Sequence, residues 1–341
     1  MAKKSLGSFG GEIYPIIGIG TSSGGLNALK KVINQLDGHN AAVFIVMHVS
    51  PQFREEVIQN ALQKLTTYNV MLAEDHLKIK PNTIYLPVAN THLLVKDDYI
   101  LIGRGPRENR WRPSINVLFR SLAVHYTSRV TGIILTGLLD DGMIGMNVIQ
   151  KTGGTTVVQD PIEAEFPDMP SAVINNMQVD YIVPLAEMKN VFDEIVKKEI
   201  IDFPVPEDLL AEASISENVS VRIEDVQNLG PHSVFSCPDC GGGLWEINQG
   251  KITKYRCHIG HEYSESELAL RQRENIESTL WISARMMEER RNMLLKMADH
   301  ASKKGHKSLA QSNYEQATKM DVHINRLREL LFDQQDAGKN N

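Results

Sequence analysis

The sequence predicts an α/β fold, a mostly parallel doubly wound sheet with helices on both faces, followed by a small zinc ribbon and a C-terminal helical hairpin. Short apolar runs alternate with amphipathic helical patterns over residues 12–200. A cysteine-rich segment follows at 237–261, and residues 264–334 show helical spacing with a single glycine. Alternation of strands and helices is typical of a parallel sheet that is covered on both faces.

Nine apolar runs predict strands, and the fifth and sixth form a hairpin. They lie at 16–19, 41–47, 69–73, 83–86, 91–95, 99–102, 131–136, 155–159 and 181–183. Amphipathic patterns predict helices at 26–36, 55–65, 114–126 and 143–152. Because functional sites of such sheets form at the carboxyl ends of the strands, we look there for reactive side chains.

Composition and charge limit the classes of function. A length of 341 residues favours two or three domains, and the formal net charge of −6 indicates no nucleic-acid surface. The three cysteines all lie within residues 237–257, so they form no disulfide framework. No apolar leader follows the N-terminal Met-Ala-Lys-Lys, and no stretch reaches membrane-spanning length. We therefore expect a cytoplasmic protein without membrane insertion.

Residues 201–232 predict an acidic linker. Positions 202–225 hold seven acids and one base, so this stretch alone accounts for the net charge of the chain. Self-repelling charge and three prolines at 204, 206 and 231 favour an extended segment. A second interpretation, in which the segment lies over a basic cleft and blocks it, remains open.

The first strand ends in Gly-Thr-Ser-Ser-Gly at residues 20–24, which fits the G-x-S-x-G turn that exposes a nucleophilic serine, here Ser22. A phosphate-cradling or purely structural glycine-rich turn is the alternative. Ser23 stands where a dinucleotide-binding turn needs its third glycine, and Leu26 stands where a P-loop needs lysine. The helix that follows offers free backbone N–H groups for an oxyanion beside Ser22.

Two further strand ends carry polar groups that complete a serine-hydrolase constellation. His48 follows the second strand, and Asp140 and Asp141 follow the strand at 131–136. Ser22 would attack a carbonyl carbon, His48 would take its proton, and one aspartate would orient the imidazole. Each group also has a purely structural explanation when it is taken alone. The histidine could simply end a strand, and the two acids could belong to a turn or cap a helix.

Several motifs resemble the CheB-type protein-glutamate methylesterases of bacterial chemotaxis over residues 12–195. They are Ile-Gly-Thr-Ser-Ser-Gly-Gly at 19–25, Val-Met-His-Val-Ser-Pro at 46–51, Arg-Pro-Ser-Ile-Asn-Val-Leu-Phe at 112–119, Leu-Thr-Gly-Leu-Leu-Asp-Asp-Gly at 135–142, Val-Gln-Asp at 158–160 and Asp-Met-Pro at 168–170. The resemblance implies Ser22 as nucleophile, His48 as base and Asp141 as orienting acid. Asp140 stands where the family usually has Asn.

The resemblance also implies roles around this triad. The backbone of Ser23 and Leu138 would form the oxyanion hole, although the family often has Thr and usually Met at these positions. Residues that match cleft-lining positions are Arg104, Arg112, Met169 and Pro170. The two arginines are explained equally well as solvated loop residues.

The implied reaction removes methyl esters from glutamyl side chains, or ammonia from glutaminyl side chains, of a methylated receptor or another protein. Family members of the chemotaxis type carry an N-terminal receiver domain. We expect none here, since only about a dozen residues precede the first strand. A non-hydrolytic signalling adaptor that recruits a partner through its C-terminal part is the alternative function. Retention of Ser22, His48 and Asp141 argues against the adaptor.

The cysteine-rich segment predicts one structural zinc. Cys237 and Cys240 form a Cys-x-x-Cys pair, and Cys257 with His261 forms the second pair on a facing hairpin with strands at 244–247 and 254–256. Cys-x-x-x-His spacing favours His261, whereas His258 adjoins Cys257 and would point away. Four protein ligands leave no open position for catalysis, so we expect no catalytic cofactor.

The predicted organisation has four parts. They are a catalytic domain at 12–200, the linker at 201–232, the ribbon at 233–263 and a helical hairpin at 264–336 with its turn at 302–306. Apolar stripes on both helices suit self-packing, a homodimer or docking of a partner helix.

Overall fold

A seven-stranded, wholly parallel sheet forms the centre of the first of two units, Met1–Glu267 and Leu268–Asn341. The structure, a computed structural model, describes residues 14–49, 54–201, 203–217 and 226–337. Part of the second strand-end motif, Ser50 and Pro51, therefore lies outside the described residues. The predicted α/β fold is confirmed.

The strands of this unit follow the predicted apolar runs closely. They are β1 Ile16–Thr21, β2 Ala42–Met47, β3 Asn69–Leu72, β4 Thr83–Leu86, β5 His92–Lys96, β6 Tyr99–Gly103, β7 Val130–Ile134, β8 Thr155–Gln159 and β9 Tyr181–Val183. The sheet has the order β3-β4-β2-β1-β7-β8-β9, while β5 and β6 form a separate antiparallel hairpin. The chain leaves β1 toward β2 and later returns on the other side at β7, so β1 lies at the switch point of the topology.

Helices cover both faces of the sheet. They are α1 Gly25–Val32, extended by a 3-10 turn at Ile33–Leu36, α2 Glu55–Gln63, α3 Ile115–Tyr126, α4 Met143–Lys151, α5 Asp168–Asn176 and α6 Met188–Ile195. Successive residues of β1 face opposite layers, with Ile16 in one apolar cluster and Ile17 in the other. Two-sided burial explains why this strand reads as a continuous apolar run.

The sequence analysis did not predict α5 and α6. The signal for α6 was present, because Met188, Val191, Phe192 and Ile195 have helical spacing and are all buried.

The cysteine-rich segment forms a four-stranded antiparallel sheet, which we call the ribbon. Its strands are β10 His232–Ser236, β11 Gly243–Gln249, β12 Ile252–Cys257 and β13 Glu262–Ser264, in that order. The two predicted strands correspond to β11 and β12. The outer strands were not predicted.

The expectation of an extended linker is wrong for the segment α7, Glu207–Glu217, which is a helix. Leu209, Glu212 and Ala213 are buried. The carboxylate of Glu212 accepts hydrogen bonds from Lys254 Nζ and Gln249 Nε2, each at 2.6 Å. Lys254 of the ribbon and Arg120 of α3, rather than solvent, compensate the charge of this acid. Residues 202 and 218–225 lie outside the described part of the linker.

Two long helices, α8 Glu265–Lys303 and α9 Lys307–Ala337, account for the second unit from Leu268 onward. Arg291 bonds Asp321 at 2.8 Å and Arg328 bonds Glu288 at 2.5 Å, so the helices run antiparallel. The predicted turn is present, with Gly305 at φ 78°. The domain limits and the roles of the hairpin in dimerisation or docking stay predictions. Among the helices described, none has the length and apolar character that crossing a bilayer requires.

Candidate active site

The ends of β1, β2 and β7 are joined by backbone hydrogen bonds at one edge of the sheet. Thr21 and Met47 are register partners, and the N–H of His48 donates to Thr21 O at 3.1 Å. The N–H of Ser22 donates to Thr136 O at 3.0 Å. Parallel pairing therefore places Ser22 and His48 on adjacent strand ends, next to the loop that leads to Asp141.

The turn around Ser22 leaves no space for larger residues. Gly24 has φ 75°, a left-handed conformation that glycine adopts without strain. A Cβ atom on Gly137 would come within 2.8 Å of Ser22 Cβ and would also collide with the side chain of Met169. Glycine at 137 thus lets the loop after β7 approach Ser22 closely.

His48 and Asp141 form a buried pair. His48 Nε2 lies 2.9 Å from Asp141 Oδ2, and each side chain is 1% exposed. Asp141 Oδ2 also accepts the N–H of Ile115 at 2.8 Å, while Oδ1 accepts the Ser114 hydroxyl at 3.0 Å and the N–H of Asn116 at 3.3 Å. The N-terminus of α3 thus holds the carboxylate, as expected from free N–H groups and the helix dipole.

The other ring nitrogen, His48 Nδ1, is buried and has no hydrogen-bond partner in the described part of the chain. Within those same residues, no hydrogen bond joins Ser22 Oγ to the imidazole, and Ser22 is 8% exposed. Because Nε2–H donates to Asp141, the lone pair of Nδ1 is free to accept a proton. The structure thus brings His48 and Asp141 into contact and places Ser22 on the neighbouring strand end.

Trp111 supports the imidazole from one face, a contact that sequence reasoning missed. Its ring stacks on His48 with centroids 3.9 Å apart and planes 6° apart. The signal was a single tryptophan inside the polar, arginine-rich loop at 104–113. A large apolar residue in such a loop needs an apolar surface to cover.

His92 was also missed, and it fixes the start of α3. Its Nδ1 accepts the N–H of Ser114 at 3.3 Å, and its Nε2–H donates to Pro106 O at 2.8 Å. Burial lowers the pKa of His92, which keeps the ring neutral and therefore able to accept this bond.

The predicted oxyanion-hole residues border Ser22. Ser23 is half-buried, and Leu138 is 44% exposed. Across the residues described, neither backbone N–H donates to another protein group. Both amides are thus available to a ligand.

The predicted cleft-lining residues differ in their surroundings. Met169 and Pro170 are buried in α5, and Met169 packs beneath Gly137. Arg104 is exposed, whereas Arg112 donates to Asn90 Oδ1 at 2.8 Å and to Gly105 O at 2.7 Å. Arg112 therefore ties loops together, and its role toward a substrate stays a prediction.

The four predicted metal ligands, Cys237, Cys240, Cys257 and His261, converge at the ribbon, with their ligand atoms within 4.8 Å of one another. Cys240 Sγ and Cys257 Sγ are 3.8 Å apart, and His261 Nδ1 lies 3.7 Å from Cys237 Sγ and 3.5 Å from Cys257 Sγ. Tetrahedral zinc with bonds of about 2.3 Å to sulfur separates its ligand atoms by about 3.8 Å. The cluster therefore fits such an ion.

Neighbouring groups favour a thiolate in this cluster. The thiol of Cys257, together with His261 and Tyr263, hydrogen-bonds the sulfur of Cys237 and lowers its pKa to about 3 against the effect of burial. The thiolate is the form that binds metal ions.

Comparison with known proteins agrees with this geometry. A family model described as CheB methylesterase matches residues 17–192. A relative from Leptospira interrogans is 36% identical over 181 residues, which cover 52% of this chain and 93% of the relative. The protein-glutamate methylesterase/protein-glutamine glutaminase of Salmonella typhimurium is 33% identical over 177 residues, covering 51% of this chain and 50% of that protein.

A solved structure shares the fold. The crystal structure of the Thermotoga maritima CheB methylesterase catalytic domain matches 54% of this chain and 100% of its own, with a TM-score of 0.51 and 26% identity. The resemblance inferred from motifs is thereby confirmed. Since the family model spans residues 17–192 of 341, more than half of the sequence, the chain belongs to the CheB methylesterase family.

Proposed function

We propose that this chain is a serine hydrolase that removes methyl esters from glutamyl side chains of a protein, and ammonia from glutaminyl side chains. The observation that carries the proposal is the buried His48–Asp141 pair, whose free Nδ1 lies at the strand end next to Ser22. The activity agrees with the names of the relatives, which are protein-glutamate methylesterases/protein-glutamine glutaminases.

In the proposed reaction Ser22 Oγ attacks the glutamyl carbonyl carbon, and its proton passes to His48 Nδ1. Asp141 stabilises the imidazolium through Nε2–H. The N–H groups of Ser23 and Leu138 receive the oxyanion. The C–O bond to the methoxy group breaks, and methanol leaves with the proton from His48. Water then cleaves the acyl-serine ester by the same steps in reverse and frees the glutamate.

Deamidation uses the same groups. When the substrate is a glutamine, the C–N bond breaks and ammonia takes the proton from His48. The resemblance suggests a methylated chemoreceptor as the protein substrate, and a cytoplasmic location would give access to it. Met169, buried against Gly137 beside the Ser22 turn, and Pro170 after it would support the cleft from beneath, and the exposed Arg104 side chain would be free to reach a substrate.

The test measures methanol release from methylated receptor helices by the wild type and by Ser22→Ala. We expect the variant to lose at least about 10³-fold in rate, because the nucleophile acts as a unit with its base. Ser283→Ala removes a hydroxyl from an exposed helical position and should leave the rate unchanged.

Equal rates in the wild type and Ser22→Ala would show that Ser22 is not the nucleophile. Absence of methanol release from both, with an intact fold, would favour the signalling adaptor.

We further infer that the ribbon holds one structural zinc on Cys237, Cys240, Cys257 and His261. Support comes from the ligand spacing described above and from the second histidine, His258, which lies against Gly242 and outside the cluster. Four protein ligands give the ion a folding role and leave no position for substrate.

Elemental analysis of the purified chain should find about one zinc per chain. His261→Ala should lose most of the metal and lower the melting temperature, whereas the matched variant His258→Ala should retain both. Equal zinc contents in the two variants would exclude His261 as the ligand.

A further inference from the structure

The ribbon reaches the residue next to Asp141. Asp140 Oδ2 accepts hydrogen bonds from the Ser264 hydroxyl at 2.6 Å and from the Ser266 hydroxyl at 2.5 Å. Asp140 Oδ1 accepts from Asn109 Nδ2 at 3.3 Å. Ser264 is the last residue of β13, and Ser266 lies in the first turn of α8.

The same strand holds the loop that carries Trp111. Asn109 N–H donates to Glu262 O at 2.8 Å, and Ser264 N–H donates to Asn109 Oδ1 at 3.0 Å. Glu108 and Trp111 exchange two backbone hydrogen bonds, at 3.2 and 2.9 Å. The loop is thus closed on itself and fastened to β13 at Asn109.

Two side chains hold the His48 ring, the Trp111 ring on its face and the Asp141 carboxylate at Nε2. Each of them lies within two residues of a group that β13 binds, namely Asn109 and Asp140. We propose that β13 and the residue pair Ser264/Ser266 are a positioning element of the His48–Asp141 pair. Its effect on catalysis rests on the function proposed above.

The chemistry of Asp140 suits this task. Its carboxylate offers only acceptors, and it faces three donors. Burial raises the pKa of Asp140, and the hydroxyls of Ser264 and Ser266 counteract this rise. Alanine at 140 would leave all three donors without this acceptor, whereas the two serine hydroxyls can also accept and would adapt to the NH₂ group of an asparagine.

The test uses the full chain and compares Ser264→Ala/Ser266→Ala with the wild type. We expect kcat to fall about tenfold with KM changed less than twofold, since small misplacements of catalytic groups cost rate rather than binding. The downfield proton resonance of His48 Nε2–H should broaden or disappear. Thr253→Ala removes another ribbon hydroxyl, bonded to Asn248, and should alter none of these.

Ser264 Oγ also accepts the N–H of Glu267 and caps α8, so the double variant can lose stability. Asp140→Ala removes the acceptor, keeps this cap and decides between the outcomes if the double variant unfolds or loses metal. We expect it to lower kcat and broaden the same proton resonance while metal content stays unchanged. An unchanged resonance in folded Asp140→Ala overturns the proposal. Because the resonance requires no turnover, it decides even if the wild type hydrolyses no ester.

Discussion

The first unit contains two buried polar sites that are built on opposite principles. One is the His48–Asp141 pair. The other is a cluster of six charged side chains, each at most 3% exposed, which joins the 104–113 loop, α3, α7 and the ribbon: Glu108, Arg120, Glu212, Lys254, Arg256 and Glu262.

Within the six-charge cluster, every charged group is paired with a group of opposite charge. Three carboxylates face three cations, as burial of charge demands. Burial alone would raise the pKa of Glu262, yet Arg256, Lys254 and Arg120 hold it well below its usual value, so the acid is ionised. Among the described residues, each site keeps one buried nitrogen without a hydrogen-bond partner, His48 Nδ1 in the pair and Arg120 Nε in the cluster. The two nitrogens differ in chemistry, because Arg120 Nε carries a proton and offers no lone pair, whereas His48 Nδ1 holds a lone pair that can accept a proton.

The largest effect on this comparison should come from Asp141→Asn. All groups around the carboxylate are donors, so the introduced NH₂ would oppose one of them and favour the His48 tautomer with its proton on Nδ1. The base would lose its lone pair, and kcat should fall about 10³- to 10⁴-fold. Methanol release measures this.

Near-ultraviolet circular dichroism provides the control for Asp141→Asn, because the fold must be retained. A kcat within tenfold of the wild type in a folded variant would contradict the assignment of Asp141 as the orienting acid.

Breaking the six-charge cluster should affect stability rather than the base. Glu108→Gln leaves Arg120 and Arg256 with one carboxylate fewer and gives the cluster a net positive charge. We expect a loss of about 3–5 kcal/mol in the free energy of unfolding, measured by urea titration.

The matched variant for this loss is Glu289→Gln. Its carboxylate pairs with Arg285 at 3.7 Å with both side chains about two-thirds exposed, so little change is expected. Similar unfolding free energies for the two variants would show that the buried cluster contributes no more to stability than an exposed ion pair.

Trp111→Leu should give the smallest effect and sharpen the picture of how the base is held. Loss of a stacked pair is worth about 0.5–1.5 kcal/mol, so kcat should fall by up to about tenfold. Trp281→Leu, in the second unit at a position 46% exposed, is the control for loss of an indole. An unchanged kcat in Trp111→Leu would show that Asp141 alone holds the ring.

Much of the candidate site was predictable because it lies at strand ends. Ser22, His48 and Asp141 each follow an apolar run, and the parallel topology brings such ends together. The convergence of Cys237, Cys240, Cys257 and His261 was predictable from spacing alone. Trp111 and His92 were not, because Trp111 lies within a loop and His92 begins β5, so neither is at the carboxyl end of a sheet strand.

Segment α7 shows why composition misled the prediction. Counted along the chain, Glu212 is one of seven acids that repel one another. In the fold it is buried beside Lys254 and Arg120, which come from β12 and α3. Charge that appears uncompensated locally is neutralised by cations from other elements.

Local patterns in the chain sufficed for the α/β class, the strand-end reactive groups and the cysteine ligand pairs, since each depends on periodicity or short spacing. Tertiary packing alone decided that α7 folds against the ribbon, that Trp111 covers His48, and that Ser264 and Ser266 bind Asp140. The contacts of Glu212 in α7 join residues 37 and 42 positions apart, and the other contacts join residues 63 to 126 positions apart. No local rule encodes which distant donor meets which buried acceptor.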